Sequence, residues 1–182
     1  MTTSSTTKTQ WNLDASHSEI GFKVKHLMIS NVSGSFAKFD VSVETQGDNF
    51  STAQIAFSAD INSLSTGNDQ RDGHLKSGDF FDAENYPEMV FNSESLENID
   101  ETNYKLKGNL SLKGITAPVT LNVEYGGLGT DPWGNQKVGF TLSGRINRND
   151  WQLTWNAPLE TGGVLVGEEV KIYAELQFSK TI

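Results

Sequence analysis

Asp14, Ser16 and His17 bring together the three residue types of a hydrolytic triad. In such a site the histidine takes the serine proton and the carboxylate orients the histidine. The local text argues against it. In an extended chain successive side chains point to opposite faces, and no G-x-S-x-G elbow presents the serine at a strand-to-helix turn. Hydrogen bonding at the start of a strand is the expected use of these Asp and Ser residues. His17, His26 and His74 lie in different segments, and none has the H-x-x-x-H spacing that sets two metal ligands on one helix face. Each is expected to hydrogen-bond locally, and no metal is expected. Asn68 to Asp79 places Gly73 sixth, as in a calcium loop, but Gln70 and Lys76 occupy liganding positions and the bidentate Glu is missing. Gly126-Gly127-Leu128-Gly129 opens no helix, so it offers no phosphate cradle and reads as a mobile hairpin end. A sugar-binding reading rests on Trp133, Trp151 and Trp155 alone. With no cysteine in the chain, thiol nucleophiles, disulfides and zinc–thiolate sites are excluded.

The elements that would position any site are strands, because hydrophobicity recurs with period two almost throughout. Ile20, Phe22 and Val24 share one face of the first run. The second runs from Val32 to Val43 and changes parity near Ala37-Lys38, which predicts a β-bulge. Ile55, Phe57, Ala59 and Ile61 form the third run, and Met89, Phe91 and Ser93 the fourth. The fifth is Tyr104 to Leu112 and the sixth Val119 to Tyr125, with Gly114-Ile115-Thr116-Ala117-Pro118 as a hairpin connection. Val138 to Ile146 and Val170 to Phe178 complete eight. Short connections imply an antiparallel meander, and closure into a barrel, rather than a sandwich, leaves no bare edge.

Two segments depart from this pattern. Between the third and fourth strands, Asp69 to Lys76 is helix-compatible, with Thr66 or Asn68 as its cap. Phe80 to Glu84 reads as a second short helical turn, and the whole insert as a lid or plug at one barrel end. The connection from Asn147 to Glu168 carries Trp151, Leu153, Trp155, Leu159, Val164 and Leu165, enough apolar surface to fold back over a barrel mouth.

At 182 residues the chain suits one domain, read as a disordered polar leader over 1–10 and a barrel over 11–180. Fourteen Lys and Arg against 23 Asp and Glu give −9, a charge that repels nucleic acid and anionic lipid surfaces. The opening Met1-Thr2-Thr3-Ser4-Ser5-Thr6-Thr7-Lys8 lacks the apolar core of an export signal, and no run is long enough to span a bilayer as a helix. The expectation is a cytoplasmic protein without stable membrane insertion, or a periplasmic one if a signal has been removed. The inward set is almost free of charge, and parity leaves two occupants for that interior: its own side chains packed as a core, or an apolar ligand.

Specific text points toward the second. Trp11-Asn12-Leu13-Asp14, His17-Ser18 and Val32-Ser33-Gly34-Ser35-Phe36 are followed by Ser63-Leu64-Ser65-Thr66, Arg71-Asp72-Gly73-His74-Leu75, Asp79-Phe80-Phe81-Asp82 and Tyr86-Pro87. Gly108 to Thr116 and Arg148-Asn149-Asp150-Trp151 continue the order. From Trp11 to about Phe178 the chain resembles the YceI-like family of bacterial polyisoprenoid-binding proteins. The resemblance implies a lipocalin-like eight-stranded barrel whose internal tunnel holds an isoprenoid chain, without catalysis or cofactor, and often a homodimer. The tunnel lining expected from parity and resemblance together is Phe22, Val24, Phe36, Phe39, Ile55, Phe57, Ile61, Phe91, Leu110, Leu112, Leu121, Phe140, Leu142, Ile172 and Leu176, with Phe80 and Phe81 closing the helical end. Arg71, Asp72 and His74 are expected to fix the insert, with a head-group contact as the alternative. The expected ligand is a quinone, a polyprenyl phosphate or a related long-chain lipid. Competing readings are an enzyme acting inside the barrel, for which Tyr104, Tyr125 and His26 are the inward ionisable candidates, and a packed interaction module.

Overall fold

Period-two text becomes a single antiparallel sheet in a computed structural model that describes residues 7–159 and 163–181. The strands are β1 (Lys8–Leu13), β2 (Glu19–His26), β3 (Ser30–Phe36), β4 (Phe39–Gln46), β5 (Asn49–Asp60), β6 (Leu64–Ser65), β7 (Glu88–Asn98), β8 (Asn103–Leu112), β9 (Ile115–Thr130), β10 (Gln136–Asn147) and β11 (Val166–Thr181). One α-helix, α1 (Asp69–Lys76), lies between β6 and β7.

The first six strands are three wall strands, each broken once. β1 and β2 both pair with β11, with a short 3-10 turn at Ala15–His17 between them. β3 pairs with β2 and β6, while β4 pairs with β1 and β5. The break between β3 and β4 falls at Ala37-Lys38, where the parity change places it. The wall therefore has eight members in meander order, closed by the β1–β11 ladder from Gln10↔Thr181 to Leu13↔Phe178. Trp11 seals that seam. Its ring is fully buried and its indole N–H donates to Thr45 Oγ1 at 3.0 Å.

Three expectations are corrected. The polar leader does not extend to residue 10, because Lys8, Thr9 and Gln10 belong to β1, with Thr9 buried; residues 1–6 lie outside the described residues. Gly126 to Gly129 is no hairpin end. β9 continues through it, with a bulge opposite Gly139/Phe140 and φ of 108° at Gly127, and the turn comes at Asp131–Asn135. Phe80 to Glu84 forms successive turns in place of helix. Asp82 adopts φ of 51°, its N–H donating to Ser77 O, and Tyr86 N–H donates back to Asp82 O.

α1 itself keeps its expected bounds. Asn68 Oδ1 accepts from Arg71 N–H at 3.0 Å and caps it. The helix has little apolar surface, so polar contacts must hold it. Buried Asp72 accepts from Thr66 N–H (2.8 Å) and Oγ1 (2.5 Å), and Arg71 donates to Thr66 Oγ1 (2.8 Å) and O (2.7 Å).

At the end opposite α1, aromatic rings pack into a floor. Phe50 lies 5.1 Å from Trp11, 5.1 Å from Phe140 and 5.9 Å from Tyr125 between ring centroids, and Phe140 lies 6.2 Å from Phe178. Higher in the wall, Gly108 lets the Phe91 ring lie flat against the neighbouring strand. A Cβ at Gly108 would stand 2.4 Å from both Asn92 O and Phe91 Cζ. Gly108→Ala is expected to cost roughly 1–3 kcal/mol by overpacking, read as a lower denaturation midpoint with an unchanged m-value.

Candidate ligand-binding site

Alternation along eight closed strands directs every second side chain into the barrel, and the volumes of those side chains decide whether it fills. It does not fill. An inner chamber of about 110 Å³ is bounded entirely by apolar side chains. Toward the α1 end lies a wider mouth cavity of about 590 Å³, with Ile172 bordering both.

Of the expected lining residues, Ile55, Phe57, Phe91, Leu110, Leu121, Phe140, Leu142, Ile172 and Leu176 border the chamber. Phe22, Val24, Phe36, Leu112, Phe80 and Phe81 border the mouth. Two are corrected. Phe39 borders neither cavity and packs on Phe57 at 6.5 Å. Ile61, only 1% exposed, sits in the 3-10 turn Ile61–Ser63 that interrupts the strand, so it serves as core packing. Chamber residues outside the expected set include Phe50 and Leu96. Leu96 faces inward because a bulge between Ser93 and Ser95 reverses the parity set by Phe91. Leu106, Val119 and Val123, which carry the right parity, also border it.

The mouth differs in charge. Lys25, His26, Arg71, His74 and Arg148 border it together with Asn68 and Gln70, and among the described residues no carboxylate lines it. Asp72 is occupied with Thr66, and Asp79 lies 3.0 Å from His74 Nε2. The His74 ring stands edge-on to Trp155 at 4.6 Å and to Phe80 at 5.1 Å. Arg71, Asp72 and His74 thus all bond within the insert, and Arg71 and His74 also face the cavity.

Arg148 is the residue whose setting parity could not foresee. It is 4% exposed, and among the described residues its guanidinium donates to backbone carbonyls alone: Nε to Gly167 O (2.8 Å), Nη1 to Leu153 O and to Trp155 O (3.0 Å), and Nη2 to Val166 O (3.3 Å). Burial pulls its pKa down from the ordinary arginine value, and nearby Glu168 opposes the shift. The arginine so clamps the loop after β10 across the mouth. Leu153, Trp155 and Leu165 of that loop line the cavity as expected, while Trp151 is buried with its indole N–H donating to Leu110 O at 2.8 Å.

Asp14, Ser16 and His17 do meet, because a 3-10 turn and not a strand carries them. Ser16 Oγ donates to Asp14 Oδ1 at 2.8 Å, and His17 Nδ1 lies 3.0 Å from Asp14 Oδ2. Lys137 Nζ is 3.2 Å from the same oxygen. Ser16 Oγ also lies 3.2 Å from His17 Nδ1, but that is the ring nitrogen already facing Asp14, whereas a triad sets serine and carboxylate on opposite nitrogens. His17 is mostly exposed outside both cavities, so the cluster ties the β1–β2 break to β10. Tyr104 and Tyr125 also border neither cavity; burial first, then Tyr104 and Asp48, raise the pKa of Tyr125. His26 alone of the three inward candidates reaches the mouth.

This barrel, with its hydrocarbon chamber and insert-covered mouth, has known counterparts. The model of the YceI-like domain matches residues 11–178. The chain belongs to the YceI-like family. A UPF0312 protein of Staphylococcus aureus (strain N315) is 41% identical over 172 residues, covering 94% of this chain and 98% of its own. Among solved YceI-like structures, the Campylobacter jejuni YCEI protein is 31% identical with a TM-score of 0.74, covering 93% of this chain and 96% of its own. A polyisoprenoid binding domain from Saccharophagus degradans, implicated in plant cell wall breakdown, is 15% identical with a TM-score of 0.66, covering 94% and 98%. The last likeness is one of fold.

Two outcomes test this YceI-like site. Arg148→Met strands several buried carbonyls and is expected to cost about 2–4 kcal/mol, with faster amide exchange over 152–159; Arg148→Lys, lacking the planar fork, is expected to restore little. The Asp14 carboxyl is held at about 2, below its ordinary 3.8, by the hydrogen bond from Ser16 and then by His17 and Lys137, against burial. A depressed carboxylate stabilises the fold above its unfolded pKa and loses that contribution as pH falls toward the folded value. Asp14→Asn should therefore cost about 1–2 kcal/mol at pH 7, and the gap to the parent should close between about pH 4 and pH 2 in acid-titrated urea melts.

Proposed function

We propose that the protein binds a long-chain polyisoprenoid amphiphile without catalysis, the tail running from the mouth cavity into the chamber and the polar head staying at the mouth. The observation that carries this reading is the graded lining: hydrocarbon alone around the chamber, five basic side chains around the mouth. Family membership and the polyisoprenoid-binding description of the Saccharophagus degradans neighbour support it. The chamber lining offers no group that takes or gives a proton, which favours binding over chemistry there.

Burial supplies the affinity. Each methylene removed from water contributes about 0.8 kcal/mol, so one isoprene unit contributes roughly 4 kcal/mol gross. Ordering a flexible chain offsets much of that, and at about −0.3 kcal/mol per heavy atom a forty-carbon tail reaches roughly −12 kcal/mol, or nanomolar affinity. The head contributes selectivity. Arg71, Arg148 and Lys25 carry positive charge at the mouth, which favours a polyprenyl phosphate over a neutral quinone of equal tail length.

Native mass spectrometry of freshly expressed protein, then organic extraction, should release a long-chain isoprenoid lipid. Affinity for polyprenyl phosphates should climb with each isoprene unit until the interior is full. Equal affinity for a one-unit and an eight-unit chain would overturn the reading. Ala174, 2% exposed on the chamber wall, offers a steric test. Ala174→Phe sets a ring inside the chamber and is expected to weaken long-chain uptake at least tenfold in a fluorescent-lipid displacement titration, with short-chain binding little changed.

A further inference from the structure

β2 and β3 meet in the turn Leu27-Met28-Ile29, between the paired residues His26 and Ser30. Hairpin turns with left-handed backbone are ordinarily made of Gly, Asn or Asp, which adopt it at little steric cost and stay hydrated. Here Leu27 and Met28 hold φ of 54° and 63°. Bulky side chains are rare in that region, and such outliers concentrate where function retains them. The three side chains do not turn back into the barrel: Leu27 is 39%, Met28 51% and Ile29 82% exposed. Val164 is exposed too, and its neighbour Gly163 lies against Met28.

This apolar tip is continuous with the mouth. Leu27 N–H donates to Leu165 O at 2.8 Å, and Leu165, Lys25 and His26 all border the mouth cavity. Four side chains around a hairpin tip fall short of the roughly 800 Å² per partner that a stable protein interface buries. A projecting apolar tip with basic residues directly behind it fits a bilayer interface instead, the hydrocarbon passing below the head groups while lysine stays at their level. We propose that the Leu27-Met28-Ile29 turn, with Val164 beside it, docks on a lipid surface and sets the cavity mouth against the bilayer for cargo transfer. The transfer half of this proposal rests on the lipid-binding reading above. With a net charge of −9 the favoured surface is zwitterionic.

The chain has no cysteine, so Ile29→Cys carries one environment-sensitive dye at the tip, and Glu101→Cys carries it in an exposed turn at the opposite end. With phosphatidylcholine vesicles the dye should shift to the blue at position 29 and stay unchanged at position 101. In parallel, transfer of a polyprenyl phosphate between such vesicles should accelerate in proportion to acceptor concentration. Leu27→Ser/Met28→Ser/Ile29→Ser should slow that transfer at least tenfold while leaving uptake of the same lipid from detergent solution unchanged. If the triple variant does not fold, Ile29→Ser alone and the dye readout still decide. No shift at position 29, a shift at position 101 in its place, or transfer by the serine variant at the parent rate overturns the proposal. Tip-dependent vesicle contact in a protein that takes up no polyprenyl lipid keeps the docking surface and removes the carrier reading.

Discussion

Everything in this molecule depends on one strand pairing at two levels. β11 spans 16 residues, its first part laddered to β2 and its last part to β1. That double pairing converts a meander into a closed wall and removes both sheet edges. Closure then dictates the interior. A half-apolar strand in an open sheet can share its inner face with a second layer, but in a ring the same face can meet only the other strands across the axis. The alanines Ala53 and Ala174 border the chamber, whereas the space at Gly34, Gly108 and Gly144 is taken by Phe22, Phe91 and Leu121. Trp11 and Thr45, buried together at the seam, hold the closure where water would otherwise compete for the last rungs.

The same geometry explains how much is legible in the residues alone. Period two survives any environment that buries one face, so all eight runs and the insert between the third and fourth walls are legible, and the parity change at Ala37-Lys38 locates a real break. β1 is not legible: Lys8–Leu13 is mostly polar, and only its partners β4 and β11 make it a strand. Leu96 escapes because a bulge inverts parity without a distinctive residue to mark it. Phe39 and Ile61 show the converse, since correct parity next to a strand break places a side chain inward without placing it on a cavity. Arg148 stands in text that the family resemblance covers, yet its partners are carbonyls, which have no letter in a sequence. Asp14, Ser16 and His17 defeat the alternation rule because the chain there turns as a 3-10 helix, which gathers neighbours that a strand would separate.

Charge is distributed against the average. An acidic chain gathers five basic side chains at one opening and leaves the chamber beyond with none. The buried guanidinium of Arg148 is solvated by the carbonyl dipoles of the loop it restrains, which preserves its charge while burying it. The loop and the positive potential at the mouth are therefore maintained by the same side chain.

The two ends of the barrel are also unlike as mechanical objects. At the aromatic floor the rings of Trp11, Phe50, Phe140 and Phe178 interlock, and the β10–β11 and β1–β11 ladders run on without a register shift beside them. At the mouth, β3 and β6 share only Ser35↔Ser65 and Phe36↔Leu64, and among the described residues no ladder joins β6 to β7, where α1 and its polar contacts span the gap. Continuous rungs set the girth of the wall at one end, while at the other the rim across α1 is held by side-chain contacts, so its girth can change without unzipping a ladder.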